Sequence, residues 1–355
     1  MKSLYLTLGV CLIVTSTTSG QTLRPDPAAA SAPDTEARSN PMPQAAQAGE
    51  RSGDPEKQAS IYDRIWKFAQ WYENASNPVV QRVLFTGRYQ HDYAGIDADE
   101  GGLGEWNVRR MRLGPRLTLF RTFTLHGEIE LNPQEADPLY VRLTDLYVQW
   151  SKSSRFALTI GKHGVPFTMD GSTSSKDLLT IDRSNASNNI WFPQEYVPGV
   201  SASGRLAPWV YRAGVYSSGE ANREFGEFDG GVFTVGGGGY AFSQTRGVKE
   251  ALLAGQYVYQ NPDPDNTFTR PLEHVVSLNF RFEANRWGLR ADVSAASGYF
   301  NQSDLWALTT MPFFNVTDKL QFVARYTFIE GDQPNGVLLA TYLSRVVRGG
   351  GGMYN

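Results

Sequence analysis

The chain has 355 residues, with 33 Lys and Arg against 36 Asp and Glu, and that near-neutral balance argues against a nucleic-acid partner. No apolar run reaches the roughly 20 residues that a membrane helix needs, which leaves open a membrane barrel, whose alternating strands average to a polar score. Aromatic residues at 12% and 35 glycines suit an all-β protein of many strands and turns.

Residues 1–20 read as an export signal. Lys2 supplies the charged start, residues 4–14 the apolar core, and Thr18, Ser19 and Gly20 the small residues before Gln21. Cys11, the only cysteine, falls inside this segment, so the mature chain has neither thiol nor disulfide. A lipidated Cys11 is the weaker reading, because Val10 is a poor residue before it and the apolar core would be too short. Residues 21–59 are rich in Pro, Ala, Ser and Gln without an apolar period, and read as a disordered periplasmic linker. Residues 60–75 read as a short amphipathic helix with Ser60 near its cap and Ile61, Ile65, Phe68 and Tyr72 on one side.

From Val79 onward the pattern changes to period two. Residues 106–162 carry it most clearly: Met111, Leu113, Leu117 and Leu119 oppose Arg110, Arg112, Arg116 and Thr118, and Phe123, Leu125, Ile129 and Leu131 oppose Thr124, His126, Glu128 and Glu130. A soluble sandwich would bury the leucines, whereas a transmembrane barrel would turn them to lipid and the charges to a wet lumen. Period alone does not separate the two. Connections that alternate between tight and long favour the barrel, as do Trp106, Trp150, Trp209, Trp287 and Trp306 near strand ends. The expectation is an antiparallel transmembrane β-barrel over residues 79–355, with about thirteen strands and a long irregular segment at 163–198. Single-chain bacterial barrels use an even number of strands, so the odd count and the glycine run before Met353, Tyr354 and Asn355 read as a barrel incomplete at its C-terminal end.

The run from Val108 to Gly204 resembles the phosphate-selective porins O and P. It carries RRMRLGPRLTLF, LTDLYVQW, IGKHGVPF, TSSKDLLTIDRS and PGVSASG in that order, with a weaker likeness over residues 81–325. The resemblance implies a sixteen-stranded, homotrimeric outer-membrane barrel of a Gram-negative-type bacterium. It further implies an arginine-rich lumen that passes inorganic phosphate or other small anions, and residues 163–198 folded inward as a constriction.

Anion selectivity needs cations along the water path, and arginine suits phosphate because its planar fork donates two bonds and stays charged. Arg110, Arg112 and Arg116 share one strand face, and Arg82 and Arg88 share the polar face of the strand before it. If Leu119 pairs with Leu125, Arg116 faces Glu128 and is spent in an ion pair, which makes Arg110 and Arg112 the better candidates. Lys162, Lys176 and Arg183 flank or lie within the long segment. Strand parity turns Lys162 toward lipid unless the strand bulges there, and Asp170, Asp177, Asp182 and Glu195 are available as partners for all three. Asp145, Tyr147 and Gln149 should face the lumen. His91, His126, His163 and His274 have no metal-ligand spacing and the residues 236–239 glycine run opens no phosphate loop, so no cofactor is expected. The competing function is a barrel esterase or phospholipase built on Ser174 or Ser175 with His163, which lacks a nucleophile motif. A non-selective structural barrel is the third.

Overall fold

The computed structural model describes residues 9–14 and 67–346, apart from 100, 135–136, 191–195, 220–223, 227, 229, 243–246, 267–268, 318–319, 332–335 and 340–345. The strands are β1 (Gly9–Val14), β2 (Gln70–Glu73), β3 (Val80–Ala98), β4 (Gly101–Leu119), β5 (Phe123–Leu131), β6 (Tyr140–Ser153), β7 (Phe156–Gly164) and β8 (Tyr196–Leu206). They continue with β9 (Trp209–Ser217), β10 (Val232–Ala241), β11 (Val248–Gln260), β12 (Leu272–Ala284), β13 (Trp287–Gly298), β14 (Leu305–Asn315) and β15 (Leu320–Gly331). All belong to one antiparallel sheet in which successive strands from β2 to β15 pair in chain order and β1 pairs with the far side of β15. The thirteen strands expected from the sequence correspond to β3 through β15. Among the described residues no ladder joins β1 to β2, so the sheet curls without closing through backbone pairing.

Burial decides between sandwich and barrel. Leu146, Val148, Trp150, Ile160, Val200, Val215, Leu253, Val276, Leu278 and Val293 are exposed on the outer face. The alternate positions Glu128, Gln149, Thr159, Gln256, Ser277, Asn279, Arg281, Asp292 and Thr309 are buried on the inner one. A water-soluble sheet does not turn its apolar side outward; a membrane barrel does. At the tight-turn end the outer face carries aromatic pairs, with Phe120 against Phe123, Trp150 against Phe156, Trp209 against Tyr240 and Trp287 against Phe314. Such rings sit well at a membrane–water boundary, apolar on one side and wettable on the other.

The stretch read as a helix over 60–75 departs from expectation. Residues 60–66 lie outside the described residues, Lys67–Ala69 makes one 3-10 turn, and Gln70–Glu73 is strand β2. Pairing with the edge of β3 and the stacking of Trp71 on Phe85, with ring centroids 5.5 Å apart, override the helical spacing.

Between β7 and β8 the chain leaves the sheet and lies against its concave face. Val165, Phe167, Met169, Asp170 and Ser172 are buried there, as are Ala186, Asn189 and Ile190 of the short helix α1 (Asn185–Ile190). Ser184 caps α1 by accepting from the Ser187 amide at 3.2 Å. Phe167, Ala186 and Ile190 pack into an apolar cluster with Phe233, Val258, Val275 and Leu305. The same segment draws the two flanks of the sheet together: Arg109 of β4 pairs with Asp182 at 2.8 Å, and Arg325 of β15 donates to the Asp182 carbonyl at 2.6 Å.

Candidate functional site

The register of β4 against β5 redistributes the arginines read from the sequence. Leu119 pairs with Phe123, not Leu125, so Arg116 lies opposite His126 and Arg112 opposite Glu130. A hairpin tighter by two residues is enough, because a shift of two keeps every side chain on its face and changes only its partner. Arg112 is the spent cation. Its Nε lies 3.2 Å from Glu130, Arg142 holds the same carboxylate at 2.6 Å, and Tyr196 takes both a hydrogen bond and the guanidinium face. Arg110 is buried beside Gln90, which accepts from it at 3.1 Å. Arg82 lies 3.8 Å from Glu73, near the β2 edge. The expectation that Arg112 is available while Arg116 is tied to Glu128 is therefore reversed.

Lys162 is fully buried and donates to the Glu224 carbonyl. The parity argument turned it toward lipid, yet the side chain is fully covered, although the registers with β6 and β8 run without a shift through Gly161, which has a φ of +127°. The backbone of β6 also leaves no room there for a side chain: a Cβ at position 161 would stand 2.3 Å from the Leu146 carbonyl.

Between the inner segment and β3 to β9 the structure leaves a cavity of about 430 Å³. Four of the sequence candidates reach it: Arg88 from β3, Arg116 from β4, and Lys176 and Arg183 from the inner segment. Arg110, Arg112, Arg82 and Lys162 do not line it. The sequence reading missed Arg212 of β9, which lines the cavity and donates to the Pro166 carbonyl at 3.0 Å. Its signal was present in the alternation of β9, in which Arg212 interrupts small and apolar residues. Glu128, Asp145 and Asp177 are the acidic residues of the lining.

Each cation is held differently. Arg116 donates to the Tyr147 hydroxyl at 2.9 Å and meets His126 Nδ1 at 3.3 Å. Arg183 is fixed to the carbonyls of Asp170 at 3.0 Å and Thr173 at 3.1 Å. Arg88 donates one terminal nitrogen to Ser175 and keeps a buried Nε that has no partner among the described residues. Lys176 makes no side-chain hydrogen bond or ion pair among the described residues. Partial desolvation, followed by the Arg88 and Arg116 charges, holds its ammonium pKa below the ordinary lysine value, against the opposing pull of Glu128 and Asp177.

The esterase pairing does not form as read. His163 Nε2 lies 2.8 Å from Ser201 Oγ and its Nδ1 is 2.9 Å from the Gly161 carbonyl. Ser175 Oγ instead receives Arg88, and Ser174 Oγ receives the Lys176 amide. The four-glycine run lies inside β10 and pairs with both β9 and β11, so it forms no loop.

The family described as phosphate-selective porin O and P matches residues 83–312, more than half of the chain. No curated protein matches it. Among solved structures, the chain is similar to a BenF-like porin from Pseudomonas fluorescens Pf-5, at 11% identity and a TM-score of 0.40, over 70% of this chain and 66% of that one, just under two thirds of its length. It is similar to OmpT, an outer membrane protein of Vibrio cholerae in its trimer form, at 12% identity, 70% and 88% coverage and a TM-score of 0.37. A double mutant of Rh. blastica porin aligns at 11% identity over 70% of this chain and 100% of that one, with a TM-score of 0.33.

Proposed function

Because the chain belongs to the phosphate-selective porin O and P family, and so is an outer-membrane porin, we propose that it passes anions by passive diffusion, inorganic phosphate and polyphosphate among them. The observation that carries this reading is the convergence of Arg88, Arg116 and Lys176 on one cavity, where Lys176 has no ion pair among the described residues. Like charges held together raise one another's energy, and an anion between them relieves it. Arg88 and Arg116 offer planar forks and Lys176 a mobile point charge, a set that attracts an oxyanion without enclosing it. That openness matters for transport, since a site that binds too well releases too slowly.

The inner segment then acts as the constriction. It places Lys176 and Arg183 opposite the sheet's own arginines, and Arg281, Asp292 and Arg325 hold it to the facing wall. Membrane lipid surrounds the apolar outer face, and the working form is a homotrimer. The test is the reversal potential of the purified protein in a planar bilayer under a potassium chloride gradient, followed by titration with phosphate. A potential of anion-selective sign and phosphate inhibition of chloride current are expected. A cation-selective or null potential would overturn the reading.

A further inference from the structure

We infer that the cavity also takes flat organic anions, with a ring carboxylate held more tightly than an alkyl carboxylate of equal charge. The inference rests on the anion-porin reading above and adds a class of ligand to it.

The observation is the wall facing the cations. Rings run in contact from β5 through β6 and β7, past β8, to β9 and β10: His126 against Tyr147 at 5.3 Å, Tyr147 against His163 at 6.1 Å, His163 against Tyr216 at 5.3 Å, and Tyr216 stacked on Phe233 at 5.3 Å. The first four of these residues line the cavity, together with Val165 and Val235. Inorganic phosphate has no use for such a wall, since its affinity comes from donors and charge alone. The volume points the same way. At ~30 Å³ per water, 430 Å³ holds about fourteen waters, so a lone phosphate would leave most of the space to solvent. It is also within the usual range of small-molecule pockets, which pair apolar and aromatic walls with a few placed polar groups.

The two walls divide the labour. A carboxylate reaches Arg88 and Lys176, while the ring attached to it lies along Tyr147, His163 and Tyr216, displacing water from apolar surface and gaining ring–ring contact. An acetate ion satisfies the first wall and leaves the second wet. The wall's own polar atoms are occupied: Arg116 donates to the Tyr147 hydroxyl, and His163 uses both ring nitrogens on Gly161 and Ser201. Its rings, each more than nine-tenths buried, therefore line the cavity without a polar group that a ligand would leave unpaired.

The experiment compares benzoate, acetate and phosphate as blockers of chloride current through the wild-type channel, and of a Tyr216→Leu and a Lys176→Gln variant. Benzoate should half-block at a concentration about tenfold below acetate. Tyr216→Leu should bring the two together, and Lys176→Gln should weaken both. Phosphate block with benzoate no better than acetate overturns this inference and leaves the anion-porin reading standing. Absence of block by all three, with no anion selectivity, overturns both. If Tyr216→Leu does not fold, calorimetric titration of benzoate and acetate into the detergent-solubilised wild type decides alone: equal affinities overturn the inference, and a tenfold preference for benzoate supports it.

Discussion

Two stretches of the inner surface use the same strand grammar to opposite ends. On β12, β13 and β15, Arg281, Asp292 and Arg325 point inward and are consumed in holding the segment between β7 and β8: Arg281 donates to Met169 and Thr173, Asp292 accepts from the Met169 amide, and Arg325 grips Thr180 and Asp182. On β3 and β4, Arg88 and Arg116 point inward across a space. The difference lies in what stands opposite each charge and not in the charge itself. Arg112, four residues before Arg116 and on the same face of β4, shows how narrow the margin is, because Glu130 and Tyr196 remove it from the cavity.

The comparison breaks most violently at Glu130. Its carboxylate compensates Arg112 and Arg142, and Glu130→Gln removes that shared charge from both guanidiniums, one of them deeply buried. A loss of about 3 kcal/mol or more is expected, read as a lowered unfolding midpoint in detergent. The effect is on stability, so selectivity of the fraction that folds should remain. On the opposite wall, Asp292→Asn weakens the acceptor that Met169, Ser277 and Ser294 share. A cost of about 1–3 kcal/mol and a larger single-channel conductance are expected as the inner segment loosens. Wild-type conductance in this variant would show that Asp292 does not hold the constriction.

Lys176→Gln is the smaller and cleaner change. With no side-chain hydrogen bond or ion pair to lose among the described residues, it should alter stability by no more than about 0.5 kcal/mol while lowering the anion-to-cation permeability ratio. The pH dependence follows from the direction of its shift. Because the folded environment lowers the Lys176 pKa, the ammonium releases its proton earlier as pH rises, and anion selectivity should decline below the ordinary lysine range. Lys176→Arg should abolish that decline. A permeability ratio flat with pH in the wild type would remove Lys176 from the path.

Much of the fold was legible because it is written in short-range alternation. The strands from β3 to β15, the tight turns and the exposed tryptophans all follow from period two and turn chemistry, which need no knowledge of partners. The helix expected over 60–75 failed where the partner mattered: Phe68 and Tyr72 have the four-residue apolar spacing that a helix can use, but the edge of β3 supplies hydrogen bonds and Phe85 supplies a ring for Trp71. The site was half legible. Arg88, Lys176 and Arg183 could be named from their faces and from the long irregular segment. The choice between Arg112 and Arg116 could not, since it hangs on whether Leu119 meets Phe123 or Leu125. Arg212 was hidden for another reason, because its role depends on how the inner segment crosses to β9.

The central claim is that the cavity-lining cations, and not the other inward arginines, set the preference for anions. The most direct measurement is the reversal potential under a potassium chloride gradient for the wild type, for Arg88→Gln with Lys176→Gln, and for Arg110→Gln, which lies outside the cavity. The account predicts an anion-selective wild type, a potential near zero in the double variant, and a potential close to wild type in Arg110→Gln. A double variant that keeps its anion selectivity, or an Arg110→Gln variant that loses as much, would contradict it.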